Sequence, residues 1–353
     1  MPRCHQKFFA GRIFIAALAL LLLAAAPALR AQSLNLEGQT GGYIIPAAYT
    51  IPSDAGHKFS SPTLGFHYLK AGTTVGDFYI SSVEEGYGNW LEFGYSRNNH
   101  SNGRDFNTAN SSGTSGASDL WAFNGFNVYN AKGRVMKEDW KGHKWIPAVA
   151  LGFVLRQGDQ YVTGALQNTT GTTAHTHPST TNGDMYAVAT KLVRQTKIPL
   201  LLDFGVRGTN AQLYGAGGQA GSTPVSAPLA AGAPCPPDCT YTNSSAWAVK
   251  PFGGMGIPIP ISKSNRAIVI EPGAEVAPEP RYTQNLPQAH VATTEVYGFR
   301  FTQLPSFRWT LDAGVGHIGN NLGPGFYIHA NTVESVALSY RFGHDQAPAP
   351  AKK

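Results

Sequence analysis

Large apolar side chains alternate with small or polar ones in the last patterned stretch of the chain, residues 334–342. The apolar positions are Val336, Leu338, Tyr340 and Phe342, and the positions between them are Ser335, Ala337, Ser339 and Arg341. Successive side chains of a β-strand point to opposite faces, so this period of two predicts a strand with one apolar face. The environment that this face meets decides the fold.

The same alternation recurs along the chain in segments of roughly ten residues, the length of a strand that crosses a membrane. It is clearest at 90–97, 145–156, 200–207 and 307–315. No long apolar run follows residue 29, so the pattern predicts strands and no further transmembrane helix. The predicted strands are 60–69, 74–83, 89–97, 119–131, 144–157, 183–193, 198–209, 245–256, 265–277, 291–302, 307–316 and 332–342.

The connections between these predicted strands sort by parity. Odd-numbered strands are followed by long connections at 98–118, 158–182, 210–244, 278–290 and 317–331, with one short exception at 70–73. Even-numbered strands are followed by shorter joins. Outer-membrane barrels have long outward loops, short periplasmic turns and an even number of strands.

Lipid offers no hydrogen-bond partner to a free backbone group, so a sheet in a membrane must close on itself. We therefore predict an all-β fold, a closed antiparallel transmembrane β-barrel in the bacterial outer membrane. It has about 12 strands, or 14 if residues 38–50 add a pair. Val336, Leu338, Tyr340 and Phe342 would then face lipid, and five tryptophans near strand ends would lie at the interfaces: Trp90, Trp121, Trp145, Trp247 and Trp309.

Composition agrees with a surface that is only partly in water. Charged residues make up 14% of the chain, below the roughly 25% usual for soluble domains. Residues 1–31 read as a secretory signal peptide, with Arg3, Lys7 and Arg12 before the apolar run 13–29; a retained anchor helix is the alternative. Without this segment 23 Lys and Arg face 21 Asp and Glu, so no basic patch suggests a nucleic-acid partner.

The predicted organisation has four parts. Residues 1–31 are the signal peptide, 32–59 an N-terminal lead-in or plug segment, 60–342 the barrel, and 343–353 a disordered Pro/Ala tail. Segment 38–59 could be a periplasmic lead-in, an extra strand or a plug, and Pro46 and Pro52 argue against a central strand. We expect it to pack against or within the periplasmic mouth.

The last predicted strand of the barrel also suggests how the protein is inserted into the membrane. A terminal strand of bulky alternate residues that ends in an aromatic resembles the signal read by the barrel-assembly machinery. Val336, Leu338, Tyr340 and Phe342 supply that pattern here, although residues 343–353 follow it. Outer-membrane lipid and the assembly machinery are therefore the expected partners, and the oligomeric state stays open.

Four stretches carry a family resemblance. They are GQTGGYIIPAAYTIPSDAGHKF at 38–59, MYAVATKLV at 185–193, AIVIEPGAEVAPEPRYTQN at 267–285 and TEVYGFRFTQLPSFRWTLDAG at 294–314. In order and spacing they resemble the YjbH-type outer-membrane β-barrel proteins, whose barrels open with a Gly-x-x-Gly…Pro-x-Ala segment and contain a Tyr-x-x-x-x-Lys strand. A Glu-Tyr-Asp-like element of that family appears here as Glu271-Pro272-Gly273. The resemblance implies a single-barrel member associated with exopolysaccharide export.

If the apolar face looks outward, the charged residues between the apolar positions line the lumen. The lumen candidates are Glu92, Arg156, Lys191, Asp203, Arg207, Lys250, Glu271, Glu275, Arg300, Arg308, Asp312 and Arg341. Their signs are nearly balanced, so two interpretations stay open. They form a selectivity lining for a polar or weakly anionic solute, or they pair across the lumen and fill a narrow barrel.

Other candidate chemistry is sparse. Cys235 and Cys239 predict a disulfide in an exported chain, and a metal site there would lack a nearby His or third Cys. His175 and His177 fall in a Thr-rich outward loop, where we expect solvated side chains. No catalytic motif, phosphate loop or zinc spacing is present. We predict a non-enzyme with no metal and no cofactor.

Three functions remain at this point. The first is a barrel that passes or binds a small polar solute, linked to envelope polysaccharide export. The second is a non-conducting structural or adhesive barrel that displays its long loops. The third is a barrel hydrolase, for which His67 and His317 are the candidate residues.

Overall fold

The computed structural model of the chain describes residues 33–72, 76–101, 125–158, 181–196, 198–210, 247–261, 268–278, 293–303, 308–317 and 332–342. The proposed signal peptide, the tail 343–353, Trp121, His175, His177, Cys235 and Cys239 lie outside the described residues. Within the described ranges, no helix has the length and apolar character needed to cross a membrane.

The described residues form one β-sheet, whose strands are connected alternately by short turns and long loops. A two-residue strand, β9, pairs with β10 beside the end of β8 and so prolongs the β8 position. The wall of the sheet therefore has twelve strand positions. The strands are β1 (Thr63–Lys70), β2 (Asp77–Tyr87), β3 (Leu91–Ser101), β4 (Gly125–Met136), β5 (Ala148–Gly158), β6 (Thr181–Val193), β7 (Leu200–Thr209), β8 (Ala248–Gly256), β9 (Ile259–Pro260), β10 (Ile268–Ala277), β11 (Thr294–Gln303), β12 (Trp309–His317) and β13 (Val333–Arg341).

The sheet closes on itself. Consecutive strands pair antiparallel around the sheet, except that β8 pairs with β10 instead of β9, and β13 pairs antiparallel with β1. In that closing pair Leu338 lies opposite Phe66 and Val336 opposite Tyr68. The predicted closed antiparallel barrel of twelve strands is confirmed.

Connection lengths separate the two ends of the barrel. One end carries the joins 88–90, 137–147, 194–199, 257–267 (which contains β9) and 304–308, and β1 starts and β13 finishes there. The other end carries 102–124, 159–180, 210–247, 278–293 and 318–332, together with the short join 71–76. The predicted parity of loop lengths is thus confirmed. We call these the periplasmic end and the external end.

The outer face of the barrel is apolar. On β13 Val336, Leu338 and Tyr340 are exposed, whereas Ala337 and Ser339 between them are buried. The other strands repeat the alternation, with Leu151, Phe153 and Leu155 of β5 or Leu202, Phe204 and Val206 of β7 exposed. An exposed apolar belt around a sheet without free edges belongs in a bilayer. The chain is therefore a transmembrane β-barrel of the bacterial outer membrane.

Aromatic residues mark both ends of this belt. Trp90 and Trp145 lie in the periplasmic turns and Trp309 begins β12, all at the periplasmic end. Trp247 immediately precedes β8 at the external end. Trp90, Trp145 and Trp247 are exposed, as expected for side chains at a membrane interface.

The N-terminal described residues fill the inside of the barrel. Almost every residue from 33 to 53 is buried, although this segment forms no strand of the wall. Two isolated β-bridges, Leu34↔Thr40 and Gly41↔Pro46, fold it into a compact loop. We call residues 33–53 the plug segment. Residues 38–50 add no strand pair, so the fourteen-strand alternative is wrong.

Candidate functional site in the lumen

The lumen combines the plug segment with the inward-facing side chains of the wall. Strand alternation and register place eleven of the twelve predicted lumen residues on the inner face. They are Glu92, Arg156, Asp203, Arg207, Lys250, Glu271, Glu275, Arg300, Arg308, Asp312 and Arg341.

Lys191 is the exception, and its predicted place in the lumen is wrong. Tyr186 and Thr190 of the same strand point inward, because they hydrogen-bond Gln39 and the Ala48 amide of the plug segment. Lys191 is five residues from Tyr186 and therefore lies on the opposite face. Its Nζ pairs with Glu138 Oε1 at 3.1 Å and Asp139 Oδ1 at 2.5 Å in the β4–β5 turn.

A buried ion pair holds two arms of the plug segment together. Lys132 Nζ lies 2.9 Å from Glu92 Oε1, and both side chains are fully buried. Lys132 donates to the carbonyl oxygens of Thr40 and Ala47, at 2.8 and 2.7 Å. Glu92 accepts from the backbone amides of Thr40 and Ile51, at 3.1 and 3.0 Å. One wall pair therefore satisfies backbone groups of the plug segment that are far from water.

Glu275 holds the tip of the plug segment through consecutive backbone amides. Its Oε1 accepts from the Tyr43 amide at 2.6 Å, and its Oε2 accepts from the amides of Ile44 and Ile45 at 2.8 and 3.2 Å. Successive N–H groups that converge on one anion form a nest. Here the anion is a wall carboxylate, so the plug tip is fixed without a salt bridge.

Arg156 is shared between the wall and the plug segment. Its Nη2 pairs with Asp184 Oδ2 of β6 at 2.6 Å and with Glu37 Oε1 of the plug segment. Its Nη1 donates to Asn182 Oδ1 at 3.1 Å. Asp184 also lies 3.4 Å from Arg207 Nη1 on β7. The plug segment therefore contributes one of the two carboxylates that neutralise Arg156.

Asp312 is also shared between the wall and the plug segment, at the other side of the lumen. Both of its oxygens accept from Arg300, at 2.9 and 3.0 Å, in a bidentate pair. The Ser33 hydroxyl donates to Asp312 Oδ2 at 2.5 Å. Next to it His67 Nε2 lies 2.8 Å from the Leu34 carbonyl oxygen. A wall ion pair again provides an anchor for the plug segment.

Wall glycines leave room for plug side chains. A methyl carbon at Gly254 would lie 2.8 Å from Ile45 Cδ1, and one at Gly298 would lie 2.6 Å from the Tyr43 hydroxyl. At Gly86 it would overlap the Ile51 carbonyl oxygen. Real Cβ atoms do not approach so closely, so the shape of the wall fits the plug segment.

Two contacts at the periplasmic end hold the exit of the plug segment. The Tyr49 hydroxyl donates to Glu138 Oε2 at 2.9 Å. Arg341 Nη2 donates to the Pro52 carbonyl oxygen and to Asp54 Oδ1, both at 2.7 Å. Burial opposes ionisation of Asp54, but hydrogen bonds from Ser61 and the charge of Arg341 outweigh it and lower the pKa of this carboxyl.

Several acidic side chains complete the inner wall. Asp203, Glu271, Glu275 and Arg300 line a cavity of about 20 Å³ beside Tyr43. Glu84 of β2 is fully buried beside Glu92 and Lys132. The alternation had not singled out Glu84, Lys132 or Asp184. Asp184 shares the parity of the inward Tyr186, which could have revealed it, whereas Lys132 falls one residue past the predicted end of its strand.

The described residues form neither the proposed hydrolase site nor a metal site. His67 is buried on the inner face of β1, whereas His317 lies on the outer face at the external end of β12. The two histidines proposed for a hydrolase therefore share no site. Within the described residues, no group of three or more His, Cys, Asp or Glu side chains is arranged to hold a metal ion.

No protein-family model matches the chain, and no curated protein matches it in sequence. Several solved structures are similar in fold. A NanC porin is 9% identical over 80% of this chain and 100% of its own, with a TM-score of 0.40. The KdgM porin in complex with disordered oligogalacturonate is 10% identical over 79% and 99%, with a TM-score of 0.37.

The COG4313 outer membrane channel from Pseudomonas putida F1 is 11% identical over 84% of this chain and 98% of its own, with a TM-score of 0.37. The fold of the present chain follows from its own strand register and closure, described above.

Proposed function

We propose that this protein is a gated outer-membrane channel for polar solutes, closed in the present structure by the plug segment. The observation that carries the proposal is the charged lumen wall, in which three buried cations are already paired with wall carboxylates. Lys132 pairs with Glu92, Arg156 with Asp184, and Arg300 with Asp312. Each of these three wall cations therefore keeps a partner if the plug segment moves.

The strand number supports a pathway. Barrels of eight strands are filled by their own side chains, and barrels of 16–18 strands leave an open aqueous channel. A twelve-stranded barrel lies between these limits, so its lumen is wider than its inward side chains fill. In this structure the plug segment fills the space that the inward side chains leave open. Water or solute would fill that space if the plug segment were displaced.

The polar contacts of the plug segment are of a kind that water can replace. Its backbone amides and carbonyls bond to Glu92, Lys132 and Glu275, and its Glu37 bonds to Arg156. Hydrated charges replace such bonds at modest net cost, because a typical hydrogen bond contributes only about 0.5–1.5 kcal/mol net. A dry apolar lumen would lack this exchange.

The solute class that we propose is a saccharide, as the resemblance to YjbH-type proteins implies. Sugars carry many hydroxyl groups, which can both donate to carboxylates and accept from Arg and Lys. A wall with both signs of charge suits such a solute. A link to envelope polysaccharide export is part of this proposal.

A non-conducting structural barrel is the second candidate. It is favoured by the complementary fit of wall glycines and plug side chains, since a permanent filler would also evolve such a fit. The two candidates differ in one respect, namely whether the plug segment must move for the protein to act.

A disulfide between the plug segment and the wall separates them. A methyl carbon at Gly65 would lie 3.4 Å from Leu34 Cβ, close to the roughly 3.5–4.5 Å Cβ separation of disulfides. It would also overlap the Ser82 hydroxyl oxygen, so the Ser82 side chain must rotate to another rotamer. The variant Leu34→Cys/Gly65→Cys is made with Cys235→Ser and Cys239→Ser and reconstituted in planar bilayers. We expect opening events under reducing conditions, their loss on oxidation, and their return with reductant.

The single variant Leu34→Cys, in the same background, is the matched control, because it cannot form the bridge. Its openings should not respond to oxidation. Identical currents from the oxidised and reduced double variant would contradict gating by the plug segment. Silence in both states would favour the structural barrel.

A further inference from the structure

Four charged side chains cluster inside the external end of the barrel. Arg156, Asp184, Arg207 and Lys250 lie on the four successive strands β5, β6, β7 and β8. Each is the third or fourth residue from the strand end that leads into a long connection. All four are on the inner face. They form the first charged surface that a solute entering from outside would meet within the described wall.

This cluster has more positive than negative charge. Asp184 is its one wall carboxylate, and it lies 2.6 Å from Arg156 and 3.4 Å from Arg207. Lys250 has no carboxylate within ion-pair distance among the described residues, and it lies directly opposite Arg207 in the strand register. Like charges in opposite positions of a sheet destabilise it. The arrangement therefore costs stability that a purely structural wall would avoid.

A buried donor lies beside these cations. Asn182 accepts from Arg156 through its Oδ1 at 3.1 Å. Its Nδ2 is buried and has no hydrogen-bond partner among the described residues, and the residue as a whole is 2% exposed. Buried polar groups are rarely left unpaired, and one that remains calls for an explanation. A ligand oxygen that binds Arg156 could also accept from this amide.

The plug segment already places a carboxylate at this position. Glu37 pairs with Arg156 Nη2 from the lumen side, opposite the wall carboxylate of Asp184. An anionic solute that reaches Arg156 would compete with Glu37 for the same guanidinium. Removal of Glu37 would take one negative charge away from the described cluster, so the field at this end would become more positive as the plug segment leaves.

We propose that Arg156, Arg207 and Lys250 form a binding site for the carboxylate of an acidic sugar. Glu37 occupies part of this site while the plug segment is in place. The inference names a solute class for the proposed channel and so rests on that function. Binding also couples to opening, because solute and Glu37 exclude each other from Arg156.

The test is equilibrium binding to the folded, detergent-solubilised protein, measured by saturation-transfer NMR with glucuronate and with glucose. Glucuronate should bind and glucose should not, because the two sugars differ in the carboxylate. Lys250→Met and Arg207→Met should each weaken glucuronate binding about tenfold, the loss of one charge-assisted hydrogen bond. Glu37→Gln should strengthen it, because the competing charge is gone.

Lys70→Met is the matched control. Lys70 also lies at the external end, but on the exposed outer face beside Glu334, so its removal should leave binding unchanged. Each variant is first shown to be folded by its shifted gel mobility before boiling. Equal binding of glucose and glucuronate, or equal effects of Lys250→Met and Lys70→Met, would overturn the site. Unchanged or weaker binding by Glu37→Gln would overturn the competition.

This measurement does not require conduction. A barrel that stays silent in bilayers but binds glucuronate would contradict the channel and retain the site. A barrel that opens but does not distinguish the two sugars would retain the channel and contradict the site.

Discussion

Lys132 and Glu92 show how a single buried pair joins the wall to the plug segment. Neither side chain is exposed, and together they satisfy the backbone groups of Thr40, Ala47 and Ile51. Taking two charges out of water is costly, and the pair is tolerated because every oxygen and proton finds a partner. Loss of either member would therefore do more than remove one contact.

The substitution Lys132→Met tests this interdependence. It leaves the Glu92 carboxylate buried without its cation and removes one donor from each of two plug carbonyls, so we expect a loss of about 3–5 kcal/mol in the free energy of unfolding. The measurement is urea unfolding of the detergent-folded protein. Unfolding is followed by the shift in gel mobility that distinguishes closed barrels from unfolded chains.

The double variant Glu92→Gln/Lys132→Met is the control, because it removes both charges. It should be more stable than Lys132→Met alone, since the Glu92 charge is then no longer buried without its cation. Equal stability of Lys132→Met and the wild type would show that the pair does not anchor the plug segment.

At the scale of the strand, alternation determines which solvent each residue meets. β13 presents Val336, Leu338 and Tyr340 outward and Ala337 and Ser339 inward. Leu338 lies within the belt, opposite Phe66 of β1 and Leu311 of β12. All three of these outward side chains are apolar, so this part of the outer face should contact acyl chains.

Leu338→Arg should therefore destabilise the barrel in lipid by about 2–4 kcal/mol, the cost of a lipid-facing Arg near mid-depth. Reversible urea unfolding in lipid vesicles is the measurement. Glu334→Arg is the matched control, since Glu334 lies on the same face at the external end. There the expected cost is about 0–1 kcal/mol. Equal effects at both positions would contradict the placement of the belt.

At the scale of the whole molecule, the wall and the plug segment are two bodies with different requirements. The wall is a continuous hydrogen-bonded ladder whose ion pairs Glu92–Lys132, Arg156–Asp184 and Arg300–Asp312 need no plug residue. The plug segment has two isolated bridges of its own and takes most other polar contacts from the wall. The wall should therefore fold without the plug segment.

Deletion of residues 33–53 tests that asymmetry. The shortened chain should still show the gel mobility shift of a closed barrel. It should also carry a steady current in planar bilayers, because water replaces the plug contacts of the charged wall. Failure to form a closed barrel would mean that the plug segment is part of the folding core.

Much of the wall could be read from the sequence. The strands at 89–97, 183–193 and 332–342 overlap β3, β6 and β13, because alternation with a period of two is a local property of each segment. Boundaries were less well predicted. β2 begins at Asp77 and ends at Tyr87, later than the predicted 74–83 at both ends, and β9 has no signal of its own.

The lumen was harder to predict. Lys191 was assigned to the inside although its parity with Tyr186 places it outside. Lys132 and Glu84 were missed, because inward Phe126 and Val128 on β4 and Ile80 on β2 are as apolar as the outward residues. Asp184 was missed although it shares the parity of inward Tyr186 on β6. Alternation of hydropathy is ambiguous wherever the plug segment gives inward apolar side chains something to pack against.

Strands with one apolar face and loops of alternating length could be predicted from the order of residues, since both are local properties of the chain. The contents of the lumen could not be predicted in this way and emerge from the folded arrangement. Glu92 and Thr40, or Glu275 and Tyr43, are distant in sequence and meet through closure of the sheet around the plug segment. Such contacts depend on how closure of the sheet brings distant residues together, and no local sequence pattern contains that information.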